Sequence, residues 1–140
     1  MNKKYINIIL LVLWCIFIFA MSSFNADDST TQSDFFVSII SREFNFNNLT
    51  FLAVLIRKVA HFLEYLILGV LSINCFKKHF SKYLIISIFF CIIYAFSDEI
   101  HQLFIDGRSC QVLDVFIDSI GSLSGIFAYK LLNKEVKHEN

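Results

Sequence analysis

The sequence predicts an all-α fold: an integral membrane bundle of four transmembrane helices, with a short interfacial helix in the first outer loop. Three observations carry that expectation. Of the 140 residues 56% are hydrophobic, 17 are Phe and none is Pro, and mean hydropathy is +0.63, unlike a soluble domain of this size. The apolar residues gather in runs at about 5–22, 52–76, 83–105 and 112–132, and a helix needs about 20 residues to cross the hydrocarbon core. Lipid obliges each run to bond its own backbone, and the lack of proline removes the commonest cause of a break. The chain reads as a single membrane domain, 1–140, with an outer loop over 23–51.

The first run, Ile6 to Met21, follows Lys3 and Lys4 and ends at the small residues Ala20 and Ser22. Those features also suit a cleaved signal peptide, but the run exceeds the roughly 7–15 residues of a typical apolar signal core, so a retained helix is expected. Ser22 to Ser33 is polar and rich in turn formers. From Asp34, Phe35, Phe36, Ile39 and Ile40 recur at helical spacing with Ser38, Ser41 and Arg42 interleaved, the pattern of a short helix lying on the membrane surface. The remaining runs are joined by a Lys77-Lys78 to Lys82 connection and by a tight Asp106-Gly107-Arg108-Ser109 turn.

Net charge is zero, yet Lys3, Lys4, Lys77, Lys78, Lys82, Lys130, Lys134 and Lys137 put eight of the twelve cations on one side. By the positive-inside rule that side is the cytoplasm, so both termini are expected there. Cys15, Cys75 and Cys91 sit in apolar runs as small buried hydrophobes, and Cys110 falls in an outer loop. No CxxC or Cys/His zinc spacing is present.

Charge inside lipid is expensive and needs a reason. Lys58, His61, Glu64 and Tyr65 project from one face of the second span, and Asp98, His101 and Gln102 from one face of the third, with Glu99 about 100° round. On the fourth, Asp114 and Asp118 lead into Gly121 and Gly125, a small-x-x-x-small stripe suited to close packing. Because helices alternate direction, all three sets fall in the outer half and are expected to share one pocket, with Arg108 over its mouth. Mutual ion pairing that merely ties helices together is the simplest explanation. Against it, Glu64, Asp98, Glu99, Asp114 and Asp118 outnumber Arg57, Lys58 and Arg108, and that surplus suggests protonated acids, a wet cavity or a bound cation.

Two functions suit this site. In the first, Lys58, His61 and Arg108 bind the phosphate or carboxylate of an anionic lipid or lipid-linked wall-precursor head group, the carboxylates Glu64, Asp98, Glu99, Asp114 and Asp118 orient them, and Tyr65, His101 and Gln102 belong to the same ligand-binding set. In the second, the protein is an enzyme of lipid-linked phosphoryl or acyl chemistry. Asp98, Asp114 and Asp118 would then hold a divalent cation, with His61, Asp98, Glu99 and His101 as the catalytic candidates. A zinc site from His61, His101 and Glu64 is a further chemical option, and a proton-coupled transporter would need oligomerisation. Membrane lipids are the expected partners, nucleic acid is not, and an oligomer stays open.

Arg57-Lys58-x-x-His61-Phe62-x-Glu64-Tyr65-x-x-Leu68-Gly69, Ser97-Asp98-Glu99-Ile100-His101-Gln102-x-Phe104-x-x-Gly107-Arg108 and Asp114-Val115-x-x-Asp118-x-x-Gly121-x-x-x-Gly125 resemble, in order, the blocks of the VanZ-like family. Phe19 to Ser23, with its serine pair, resembles the end of that family's first helix. The resemblance implies a small bacterial cell-envelope protein of the cytoplasmic membrane, some of whose relatives are associated with resistance to the glycopeptide teicoplanin. It implies no established reaction.

Overall fold

The computed structural model describes residues 3–24, 36–41, 48–106, 108 and 111–135. Its elements are α1 (Lys3–Ser22), α2 (36–41), α3 (Leu49–Phe76), α4 (Tyr83–Gln102) and α5 (Val112–Glu135), and the described residues contain no strand. All but α2 are long and apolar enough to cross a membrane. Most of the first polar loop, including Asp27 to Ser33, lies outside the described residues, as does Cys110.

Local chemistry sets the helix ends. α3 starts three residues before the apolar run, because the Asn48 side chain accepts the Phe51 N–H at 3.0 Å and caps the first turn. α4 stops at Gln102, short of the expected 105, because the N–H groups of Leu103, Phe104 and Ile105 bond back only three residues, at 3.0–3.2 Å, and tighten the chain into turns. α2 is the expected amphipathic helix. Val37 is buried against Leu52 and Ala53, while Phe36 and Ile39 are exposed.

The spanning helices form an up-down bundle. α3 and α5 run parallel in the most extensive contact, which is glycine-mediated. Gly121 and Gly125 lie on the backbone carbonyls of Phe62 and Leu66, and Gly69 lies on that of Ser122. Such close approach maximises dispersion where no hydrophobic effect drives helices together. α1 runs antiparallel to α3: Asn7 Nδ2 donates to Asn74 O at 3.0 Å and Trp14 Nε1 to Glu64 O at 2.9 Å. Tyr94 OH, on α4, donates to Cys15 O at 2.6 Å. These bonds pack α1 into the bundle. At the lysine-bearing end, Tyr129 OH donates to Asn74 Oδ1 at 3.0 Å and accepts from Lys77, whose ammonium lies 4.7 Å from the ring centroid.

The outer surface is apolar, unlike that of a water-soluble protein, while the interior mixes apolar core residues such as Ile18, Leu68 and Ile73 with polar ones. Phe17, Leu63, Phe89, Ile93, Phe116 and Phe127 are exposed, while Ser72, Ser87, Asp98, Glu99, Asp118 and Ser122 are buried. That surface suits lipid, and the polar groups are kept for the interior. Cys15, Cys75 and Cys91 are free thiols, the last two buried.

Candidate functional site

The parallel register of α3 and α5 builds the site in layers from the carboxylate-bearing end. In the first layer Lys58 Nζ bonds Asp114 Oδ1, joining the third turn of α3 to the first turn of α5. Both side chains keep partial access, 31% and 24%. One turn deeper lie His61 and Asp118, the end of α4 adds Asp98 and Gln102, and Tyr65 follows one turn further along α3. The glycine contacts begin directly below, so their backbone-to-backbone packing holds Asp118 at the level of His61.

The deeper layer is largely buried, and several of its polar atoms have no hydrogen-bond partner among the described residues. Asp118 and Tyr65 are fully buried, and both Asp118 carboxylate oxygens and the Tyr65 hydroxyl lack a hydrogen-bond partner among the described residues. Asp98 is 4% exposed and accepts a long bond, 3.4 Å, from Gln102 Nε2. His61 Nδ1 has no hydrogen-bond partner among the described residues, and Glu64 Oε2 stands 3.9 Å away. A ring nitrogen of His61 and one oxygen each of Asp98 and Asp118 lie within 4.8 Å of one another. A buried polar group left unpaired costs about 1–3 kcal/mol, so this concentration calls for a reason.

The other expected site residues also make contacts of their own. Glu99, 1% exposed, accepts the Gln111 N–H at 2.9 Å and ties the connection before α5 back to α4. His101 stacks on Phe19, ring centroids 4.3 Å apart, and its Nε2 meets Ser23 Oγ at 3.0 Å. The Ser23 proton is already donated to Phe19 O, so His101 Nε2 must carry the hydrogen. Asp114 pairs with Lys58, and the acidic and imidazole groups that come together one layer deeper are His61, Asp98 and Asp118.

Two arginines complete this end. Arg108, half-buried in the connection between α4 and α5, has its guanidinium pulled below the ordinary arginine range, chiefly by burial and further by the nearby charge of Arg57. The Nε of each is buried without a hydrogen-bond partner among the described residues. Arg57 and Lys58 precede His61 by four and three residues, so helical spacing alone does not separate them. The adjacency of Arg57 to Lys58 in the Arg-Lys pair was the available signal. Trp14, which bonds the Glu64 carbonyl, left no signal, because a backbone acceptor has no residue signature.

No curated protein and no solved structure matches the chain. A family model described as VanZ/LLP1 matches residues 7–133, from the first helix to the last and through every layer of the site. The chain belongs to the VanZ/LLP1 family.

Proposed function

We propose that this membrane protein resides in the bacterial cytoplasmic membrane with both termini inside, and binds an anionic lipid or lipid-linked wall-precursor head group at its outward carboxylate-bearing end, lowering susceptibility to glycopeptides such as teicoplanin. The observation that carries the reading is a buried Nε without a hydrogen-bond partner among the described residues on each of Arg57 and Arg108, at the same end of the bundle. The charge of Arg57 is felt at Arg108, and neither buried Nε has an acceptor among the described residues. Like charges so placed repel, and a phosphate or carboxylate between them removes the repulsion while satisfying both donors. Lys58, already paired with Asp114, leaves the anion to the arginines.

The test uses the full chain in phosphatidylcholine nanodiscs and a short isoprenoid phosphate as probe, titrated in EDTA. Arg57→Gln with Arg108→Gln should weaken binding at least about tenfold, since a charge-assisted hydrogen bond contributes about 1.5–3 kcal/mol. Equal affinity in parent and double variant overturns the reading. In a susceptible host the parent, and not the double variant, should raise the teicoplanin concentration needed to stop growth.

The adjacency of His61, Asp98 and Asp118 favours a second reading, a metal-dependent enzyme of lipid-linked phosphoryl or acyl chemistry. Release of inorganic phosphate from the same probe, dependent on added metal and lost in Asp118→Asn, would select it over binding alone.

A further inference from the structure

We infer that His61, Asp98 and Asp118 form a binding site for a divalent transition metal ion, Zn²⁺ foremost, clasped between α3, α4 and α5. Each residue comes from a different spanning helix, and the three donor atoms lie within 4.8 Å of one another. A shared depth alone would make only an acidic cluster. The independent observation is Asp118: it is 0% exposed, and neither carboxylate oxygen has a hydrogen-bond partner among the described residues.

Charge arithmetic points the same way. Two aspartates and a neutral imidazole are balanced by one dication, with no net charge left inside the membrane. Protonating Asp118 removes its charge but leaves an O–H and a carbonyl oxygen in the same unbonded positions. Lys58 is held by Asp114, one layer nearer the membrane edge.

The donor set selects the ion. One imidazole with two carboxylates suits Zn²⁺, and also Mn²⁺ or Fe²⁺, better than Ca²⁺, which takes about 6–8 oxygens, or Mg²⁺, which keeps its waters. Ligand bonds of about 2.0–2.2 Å bring tetrahedral donors to roughly 3.4 Å apart, a closure on the order of 1 Å that side-chain torsions supply. The glycine contacts between α3 and α5 hold the backbone frame, and Gln102 Nε2 on Asp98 Oδ2 orients one ligand. Three protein ligands leave a fourth position for water or for an oxygen of an anionic head group. The site stands whether or not Arg57 and Arg108 bind an anion.

The experiment uses the full chain in detergent micelles, stripped with EDTA, dialysed without phosphate and loaded with Co²⁺ or Zn²⁺. The parent should hold about one ion per chain, show visible Co²⁺ absorption of a nitrogen and oxygen site, and unfold at higher temperature with Zn²⁺. Asp118→Asn and Asp98→Asn should lose the Co²⁺ bands and weaken Zn²⁺ by more than the about 10–100-fold that losing a supporting group costs. Asp114→Asn should keep them. Helical content by circular dichroism checks folding, and His61→Gln replaces either variant that fails it. A parent without metal or Zn²⁺ stabilisation, a folded Asp118→Asn that binds like the parent, or preference for Mg²⁺ or Ca²⁺ each overturns the site. Because the probe titration in EDTA needs no metal, failure here leaves the anion reading to its own test.

Discussion

Gly121 lies on the backbone carbonyl of Phe62, so near that a Cβ at position 121 would come within 2.5 Å of that oxygen. The obstacle is backbone, which no rotamer change relieves. Gly125 meets the Leu66 carbonyl and Gly69 the Ser122 carbonyl in the same way, so three glycines set the distance and register of α3 against α5. Gly121→Ala should therefore destabilise the bundle by about 1–3 kcal/mol, the range for overpacking. Ser124→Ala, which removes only a side-chain bond to Ile120 O, should change stability little. Thermal unfolding of the purified variants checks both. Because Asp118 is one turn from Gly121, the alanine should also weaken Co²⁺ binding, whereas Ser124→Ala should not.

The ion pair of Lys58 with Asp114 has a different character from the cluster beneath it. With side chains 31% and 24% exposed, each partner retains water, and the coupling should be about 1 kcal/mol rather than the several expected of a dry pair. A double-mutant cycle of Lys58→Met and Asp114→Asn, read by unfolding in detergent, measures it. A coupling near zero would free Lys58 to serve the anion site as the sequence suggested.

Hydropathy and length made the four spans legible, since a helix in lipid has few alternatives, and α2 was visible in the phase of Phe36, Ile39 and Ile40. The site was legible only by face. A helical wheel puts Asp114 and Asp118 on one stripe and cannot tell which of them meets α4; that depends on the rotation of α5 against α3, which Gly121 and Gly125 decide. Likewise Glu99 has the composition of a site residue, but its bond to Gln111 N depends on where the connection after α4 returns. Ser23 and His101, 78 residues apart, meet through the parallel run of α1 and α4, which no local pattern encodes.

The Ser23 contact makes a spectroscopic prediction. Ser23 Oγ donates to Phe19 O at 2.6 Å and so accepts from His101 Nε2. Neutral His101 should be the Nε2–H tautomer, with the lone pair on Nδ1. Nitrogen chemical shifts of labelled histidine in the reconstituted protein distinguish the forms, and Ser23→Ala should release the preference toward a mixture. A dominant Nδ1–H form in the parent would reverse the donor assignment.

Topology decides which side of the membrane the arginines and the His61 cluster face, and it rests on the lysine bias. Asp106, exposed in the connection after α4, and Lys78, exposed after α3, lie at opposite ends of the bundle. With the four native cysteines replaced by serine, Asp106→Cys should react with a membrane-impermeant maleimide in intact cells, and Lys78→Cys only after permeabilisation. Each substitution removes a single exposed charge, and such changes usually shift stability by less than about 0.5 kcal/mol. The distribution of the eight cations predicts the same sidedness for every loop, so one additional lysine at Asp106 should not invert the protein. Labelling of Lys78→Cys in intact cells would turn the bundle over, direct the Arg57 and Arg108 pair toward the cytoplasm, and remove the extracytoplasmic wall precursor from the ligands it can meet.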